Sequence, residues 1–197
     1  GSIKNATDEP DSTIASAAQG ALSFTVTPGS PDPQVLILHT HATETYQTWD
    51  TPVYDPDFTA RTKDTTLNMC AVVEAMTRVL DDAGITSLHD TALHDSPSYT
   101  ESYARSAQTA RRYLEEYPSI KVVLDVHRDA MESGDARVRP LTTLDGQPTA
   151  QVMIIAGCNN GGTVQLPNWR QNLRFAARWE TAMEALYPGF TRPVLFS

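Results

Sequence analysis

Two histidines and a glutamate follow directly on a short apolar run near the start of the chain. The run QVLIL leads into His39, His41 and Glu44. A further histidine, His127, ends a second apolar run, IKVVLDVH. Imidazole nitrogens and a carboxylate oxygen are ligands that catalytic zinc sites use, with one coordination position left for the attacking water. The pattern therefore predicts that His41, Glu44 and His127 bind Zn²⁺ in a hydrolase.

The choice between the first two histidines rests on spacing. Residues 39 and 41 point to the same side if the strand continues through them, so either is a candidate ligand. His41 is favoured because it lies three residues before Glu44, within reach of one turn. His39 is then the alternative ligand, or a group that contacts the ligands or the substrate. His94 is a weaker candidate, expected to cap a helix or lie at the surface.

Charged residues around the third histidine are candidates for the other catalytic roles. The attacking water needs a group that accepts its proton, and Asp129 and Glu132 are near enough in sequence to serve as this base. The competing interpretation is a solvated acidic loop paired with arginines. Arg128 is a candidate for stabilising an oxyanion or binding a substrate carboxylate. Asp125 alternates with His127 along the strand and is expected to orient that histidine.

The elements that must position these residues alternate between strands and helices. Apolar spacing predicts, in order, a strand at QVLIL, an amphipathic helix from Asp64 to Ala83 before Gly84, a strand at ITSLHD, a helix from Ser98 to about Tyr117 with capping-box spacing at SYTE, and a strand at IKVVLDVH. In parallel sheets the carboxyl ends of the strands meet at one edge, where sites form. The candidate ligands are expected at that edge.

The remaining segments complete an α/β prediction. Asp145-Gly146 predicts a β-hairpin, a last helix begins after Asn168, and RPVLFS is a final strand. The predicted fold is a single-domain sandwich, with a central mixed, mostly parallel sheet flanked by helices. Residues 1–30 are rich in polar residues and predict a flexible tail or linker, which makes 31–197 the catalytic domain.

Composition excludes some classes of function. The 197 residues carry a formal net charge of -9, which disfavours nucleic acid as a partner, since binding to phosphates draws on Lys and Arg. No apolar run approaches the roughly 18 residues of a membrane-spanning helix. The two cysteines, Cys70 and Cys158, have no metal-binding spacing and are predicted to be small buried residues.

Four blocks in order resemble those of a known family. They are VLILHTHATETY, HDSPSYTESYARS, YPSIKVVLDVHRDA, and PNWRQNLRFA followed by YPGFTRP. Together they are similar to the stage II sporulation protein P family, over roughly residues 34–195. The family's histidine and glutamate in the first block fall on His41 and Glu44, and its histidine in the third block falls on His127. Related wall amidases take a metal carboxylate from the start of the first helix, which makes Asp64 a rival to Glu44.

The resemblance implies an activity and a location. Such proteins are zinc-dependent peptidoglycan hydrolases with an amidase-like fold that cleave the amide between N-acetylmuramic acid and L-alanine, with endopeptidase action on cross-links also attributed to them. They act in sporulation engulfment beside stage II sporulation protein D. They face outside the cytoplasmic membrane through an anchor that lies outside this sequence. The alternatives are a non-catalytic peptidoglycan-binding or regulatory domain and a zinc carboxypeptidase.

Overall fold

A computed structural model describes residues 1–49, 51–159 and 165–197. The chain is α/β, as predicted. In chain order its elements are β1 (Ile3–Asn5), α1 (Asp11–Ala18), β2 (Val35–Leu38), α2 (Met69–Asp82), β3 (Ser87–His89), α3 (Ser102–Glu116), β4 (Val122–Asp125), β5 (Met131–Ser133), β6 (Ala136–Val138), β7 (Leu141–Leu144), β8 (Gln147–Ala150), β9 (Ile155–Ala156), α4 (Trp169–Leu186) and β10 (Val194–Phe196). They form two compact units. The central unit is Phe24–Arg137, and the terminal unit is Gly1–Ser23 together with Val138–Ser197.

The central unit is built on a parallel sheet with strand order β3-β2-β4. Val35 pairs with Ser87 on one side and with Val122 on the other, and Leu38 pairs with Asp125. All four residues of β2 are buried, as expected of a middle strand covered on both faces. The three strands are parallel, so their carboxyl ends lie at one edge of this sheet.

The first helix of the central unit starts later than its apolar spacing predicts. Asp64 instead accepts the amide of Thr66 (2.9 Å) in a turn of its own, and α2 begins only after Asn68. The Asn68 side chain is buried and accepts the Cys70 amide at 3.0 Å, which caps the helix. Gly84 has a φ of +73°, as predicted for the glycine that ends this helix.

The next helix does not use the predicted capping box. α3 begins at Ser102 rather than near Ser98, and the residue before it, Glu101, has a φ of 66° and makes no side-chain cap hydrogen bond. Glu101 is the last residue of SYTE, so these four residues precede the helix instead of forming its first turn, and the reciprocal bonds of a capping box do not form. The capping-box prediction is wrong.

The terminal unit contains residues that the sequence predicts to be a tail. Its parallel sheet has the order β1-β10-β9 and confirms the final strand at RPVLFS. Its core includes Ile14 and Ala17 of α1, packed with Trp169 and Leu173 of α4 and with Phe196. The predicted flexible tail therefore differs from the structure, because a strand and a helix within residues 1–18 bury apolar side chains. Residues 1–30 are mostly polar, so their composition does not indicate that these few apolar residues are buried.

The strands do not combine into one central sheet in the described part of the chain. They are divided between the two parallel sheets and two two-stranded sheets, β5-β6 and β7-β8. The predicted hairpin is confirmed, since β7 and β8 are antiparallel and Asp145 and Gly146 both have positive φ. The prediction of a single mixed sheet is not confirmed. Apolar runs identify strands but not their neighbours.

Candidate functional site

The segment that follows β2 is buried and forms a turn. Residues 39–45 are all buried, although several are polar. The Glu44 amide donates to the His41 carbonyl at 3.1 Å, which closes the turn. The amide of Met69, at the start of α2, donates to the carbonyl of Ala42 at 3.3 Å. The turn therefore holds His41 and Glu44 against the start of α2, close to the end of β2.

His127 follows β4 and lies between two carboxylates. Its Nε2 is 3.0 Å from Asp125 Oδ2, and its Nδ1 is 3.8 Å from Glu44 Oε2. Burial by itself would lower the pKa of His127, but hydrogen bonding to Asp125 and Glu44 outweighs burial and raises the pKa to about 9. The structure brings His127 and Glu44 together and gives Asp125 the contact with His127 that the sequence predicts.

Both carboxylates are held by further donors. Asp125 accepts the amide (2.8 Å) and the hydroxyl (2.6 Å) of Thr40, and Glu44 accepts the backbone amide of Arg128 (2.9 Å). Burial would raise the pKa of each carboxyl. Hydrogen bonds from His127, together with these donors, outweigh burial and keep the pKa of each below its usual value. Both groups are therefore ionised at neutral pH and available as acceptors or ligands.

His41 is buried under aromatic rings. The ring of Tyr99 is stacked on it with centroids 4.5 Å apart, and Tyr103 meets it edge-on at 5.2 Å. The ring of His127 is also close, at 5.3 Å between centroids. Burial is the main reason why the pKa of His41 is lowered. The neutral imidazole that results is the form that binds metals.

An arginine joins Glu44 to a second, fully buried carboxylate. Arg61 lies 2.6 Å from Asp95 Oδ2 and 3.7 Å from Glu44 Oε1, and its guanidinium is 4.9 Å from the centre of the Tyr99 ring. Asp95 also accepts the hydroxyl of Thr43 at 2.6 Å. Local sequence does not reveal this arrangement, because Arg61 and Asp95 are 34 positions apart.

His39 faces away from the ligands predicted for zinc. Its Nδ1 is 3.1 Å from the carbonyl of Val126, and its Nε2 is 3.0 Å from Nε2 of His89. Both ring nitrogens thus have partners other than Glu44 and His127. The geometry favours His41 over His39 as the ligand beside Glu44.

Among the described residues, His39 belongs instead to a group that the sequence does not predict. Its ligand nitrogen, a ligand nitrogen of His89 and the sulfur of Cys70 all lie within 4.8 Å of one another. His39 follows β2, His89 ends β3 and Cys70 lies in the first turn of α2. No spacing in the sequence marks the group, because its members come from three separate elements.

His94 is a structural residue rather than a surface one. It is 5% exposed, its Nδ1 is 2.8 Å from the His39 carbonyl, and its Nε2 is 3.0 Å from the hydroxyl of Thr109. The expectation of a surface position is wrong, since the side chain bridges the segment after β2 to α3. Hydrogen bonding to the backbone explains its burial.

The residues predicted to act as base lie in an exposed segment after His127. Glu132 forms an ion pair with Arg137, and its side chain is 59% exposed. Asp129 is exposed, and its Oδ1 accepts the amide of Ala130 at 2.8 Å. Arg128 donates from its guanidinium to the Ala60 carbonyl at 2.9 Å, while its buried Nε has no hydrogen-bond partner. The contact that links this segment to the site is the Arg128 amide on Glu44.

The rival carboxylate, Asp64, is engaged locally. It is exposed, and its Oδ1 accepts both the amide and the hydroxyl of Thr66. These hydrogen bonds lower the pKa of Asp64. Glu44, in contrast, is buried and 3.8 Å from His127, so the geometry favours Glu44 as the carboxylate of the site.

Comparison with known proteins identifies the family. The family model described as stage II sporulation protein P matches residues 3–197. The chain belongs to this family. It is 25% identical over 166 residues to stage II sporulation protein P of Bacillus subtilis (strain 168), an alignment that covers 81% of this chain and 38% of that relative. The chain therefore spans well under half the length of the relative.

No solved structure matches the chain significantly. None of the helices in the described ranges is long and apolar enough to cross a membrane.

Proposed function

We propose that this chain is a zinc-dependent peptidoglycan hydrolase that cleaves the amide bond between N-acetylmuramic acid and L-alanine. Membership of the stage II sporulation protein P family places it among sporulation proteins, and the amidase activity is our interpretation of the site. Endopeptidase action on peptide cross-links belongs to the same proposal, since both reactions are hydrolysis of an amide.

The observation that carries the proposal is the arrangement of His127. Asp125 engages its Nε2 at 3.0 Å, so Nε2 keeps its proton when the ring loses one, and Nδ1, 3.8 Å from Glu44 Oε2, is then the nitrogen that can bind a metal. A carboxylate that fixes the far nitrogen of a histidine is the usual support of a zinc ligand. The His41 ring lies 5.3 Å from that of His127, and two histidines and a glutamate are the donor types of catalytic zinc. The donor atoms of these three residues do not all lie within 4.8 Å of one another, so a bound ion would have to draw them together.

The chain's own residues have separate tasks in this proposal. Zinc held by His41, Glu44 and His127 would polarise the amide carbonyl and lower the pKa of bound water toward about 7. Asp125 keeps the His127 ring oriented, and Thr40 holds Asp125 through two hydrogen bonds. The Arg128 amide donates to Glu44 at 2.9 Å and fixes that carboxylate.

Proton transfer to the leaving amine needs a further group. Asp129 and Glu132 are our candidates, because both follow His127 in an exposed segment. Glu132 would first have to leave its ion pair with Arg137, which favours Asp129. Arg128 is the candidate for binding a stem-peptide carboxylate or the developing oxyanion, since it follows His127 directly and its amide contacts Glu44.

Exposed aromatic rings beside His41 support a polymeric substrate. Tyr99 and Tyr103 are 58% and 63% exposed, although both rings contact the buried His41. Aromatic faces of this kind bind sugar rings and peptide backbones with little loss of conformational entropy. We propose that these two tyrosines contact the glycan or the stem peptide next to the bond that is cleaved.

The biological setting is also a proposal. We infer that the full-length protein is anchored in the cytoplasmic membrane, faces outward, and acts in engulfment with stage II sporulation protein D. The sporulation assignment rests on the family. The outward orientation follows from the proposed substrate, which lies outside that membrane, and the anchor and the partner are what the resemblance to the family implies.

The test combines zinc analysis with mass spectrometry of digested peptidoglycan. We expect the wild type to hold zinc and to release stem peptides with a free L-alanine amine. His127→Ala and Glu44→Gln should lose release by at least about a hundredfold, because each removes a ligand. Glu115→Gln is the matched control for the second change, since Glu115 is exposed on α3.

Three other results would each contradict the proposal. Tight binding to peptidoglycan without release by the zinc-loaded wild type would favour a binding or regulatory domain. Removal of single C-terminal residues from soluble peptides would favour a carboxypeptidase. Loss of zinc and activity in Asp64→Asn but not in Glu44→Gln would assign the carboxylate to Asp64.

A further inference from the structure

The group formed by His39, Cys70 and His89 contains none of the three ligands proposed for catalysis. His39 is fully buried, Cys70 is 3% exposed, and the His89 side chain is 11% exposed. Cys70 is a free thiol. Two imidazoles and one sulfur converge where the ends of β2 and β3 meet the start of α2. We infer that these three residues bind a second, buried metal ion, and that the ion is zinc.

The spacing fits one ion bound by all three side chains. Two histidine nitrogens on tetrahedral zinc are about 3.4 Å apart, and a nitrogen and a thiolate sulfur are about 3.6 Å apart. The two Nε2 atoms are 3.0 Å apart, and the sulfur lies within 4.8 Å of the nitrogens. Insertion of the ion therefore moves the two nitrogens apart by about 0.4 Å and the sulfur toward them by at most about 1.2 Å. Two nitrogens and a sulfur are a donor set suited to zinc.

The hydrogen bonding of the two rings supplies an independent argument. Nδ1 of His39 faces the Val126 carbonyl at 3.1 Å, so it carries the proton and leaves a lone pair on Nε2. Without a metal, His89 must donate from Nε2 to that lone pair, and its unprotonated Nδ1 then faces the Glu74 carboxylate at 4.0 Å. His89 would then have no N–H directed toward the Glu74 carboxylate. With an ion between the Nε2 atoms, each Nδ1 is protonated and faces an oxygen.

This arrangement matches the surroundings that metal-binding histidines need. Such residues direct the second ring N–H at a backbone carbonyl or a carboxylate, which fixes the ring. Here the Val126 carbonyl is 3.1 Å from Nδ1 of His39, and the Glu74 carboxylate is 4.0 Å from Nδ1 of His89, so that a small movement of the exposed Glu74 side chain would complete the second contact. Cys70 is held in place by its amide, which donates to the Asn68 side chain at 3.0 Å. The ion would join two strand ends to one helix start and stabilise the central unit.

Cobalt absorption tests this inference, because a thiolate-to-cobalt charge-transfer band appears only when sulfur binds the ion. Co²⁺ titrated into the metal-free protein should give two bound equivalents, one of which shows the band. Cys70→Ser should remove the band and one equivalent. Cys158→Ser is the matched control, since Cys158 is the other buried cysteine, and it should keep both. His127→Ala should lose the other equivalent and keep the band.

A second variant separates loss of the site from loss of the fold. His89→Gln should lose the band while circular dichroism of the helices is unchanged, because the side chain lies at the end of a three-residue strand. A wild type without the band, or a band that persists in Cys70→Ser, would overturn the inference. Hydrolysis is a separate readout, so an inactive protein that shows the band would contradict the proposed function and leave the second site supported.

Discussion

Replacing Asp125 with asparagine tests whether this carboxylate sets the charge of His127. The pKa of His127 is about 9 in the metal-free protein, against 6.5 for the unperturbed side chain. A shift of that size corresponds to about 3 kcal/mol, and Asp125 and Glu44 share it. The His127 side chain is 30% exposed, so solvent screening reduces the part from Asp125 to about 1 kcal/mol.

The sign of the effect depends on pH in a defined way. Because folding raises the pKa of His127, the stabilisation is fully present below the unfolded pKa of 6.5 and is lost as the pH rises through 9. Asp125→Asn should therefore destabilise the chelator-treated protein by about 1 kcal/mol more near pH 6 than near pH 10. The variant also loses hydrogen bonds to Thr40, which lowers the free energy of unfolding by the same amount at both pH values.

Urea unfolding at the two pH values measures this difference, and NMR titration of the His127 ring measures its pKa directly. Asp135→Asn is the control, because Asp135 is an exposed carboxylate on the same segment. The reasoning is refuted if Asp125→Asn and wild type differ by the same amount at both pH values, or if the pKa of His127 stays near 9 in the variant.

Three further predictions concern the rest of the site and the fold. Arg61→Met should lower the free energy of unfolding in urea by about 3 kcal/mol, because it leaves the fully buried Asp95 carboxylate without its cation. Arg78→Met, at an exposed ion pair, should lower it by less than about 1 kcal/mol. Equal losses in the two variants would contradict the argument. Ile14→Ala should cost about 2–5 kcal/mol, since Ile14 is 4% exposed in the core of the terminal unit; an unchanged unfolding midpoint would mean that this segment is a tail after all. Zinc binding at pH 7 to Cys70→Ser, which lacks the thiol of the second site, should release about one proton, because His127 is protonated before it becomes a ligand. Calorimetry in two buffers of different ionisation enthalpy measures that proton, and zero release would contradict the assignment of His127.

The fold could be predicted where one short segment carries its own signal. The apolar run QVLIL is β2, the pair Asp145-Gly146 is the turn of a hairpin, and the spacing of apolar residues before Gly84 is α2. The sequence predicts the helix starts less well. The capping of α2 depends on the buried Asn68 side chain, and α3 follows Glu101, whose backbone is in the left-handed region. The sequence also does not predict the pairing in the sheet of the terminal unit, since β10 pairs with β1 from the opposite end of the chain.

For the site, the sequence by itself determined which chemistry is possible: histidines and carboxylates directly after apolar runs that become parallel strands. Parallel pairing then brings the ends of β2 and β4 together, so the proximity of Glu44 to His127 follows from pattern and topology. Only the tertiary structure decided the direction of each ring. His39 faces His89, and Arg61 reaches Asp95, because packing between distant elements selects side-chain orientation, and a linear pattern contains no information about that packing.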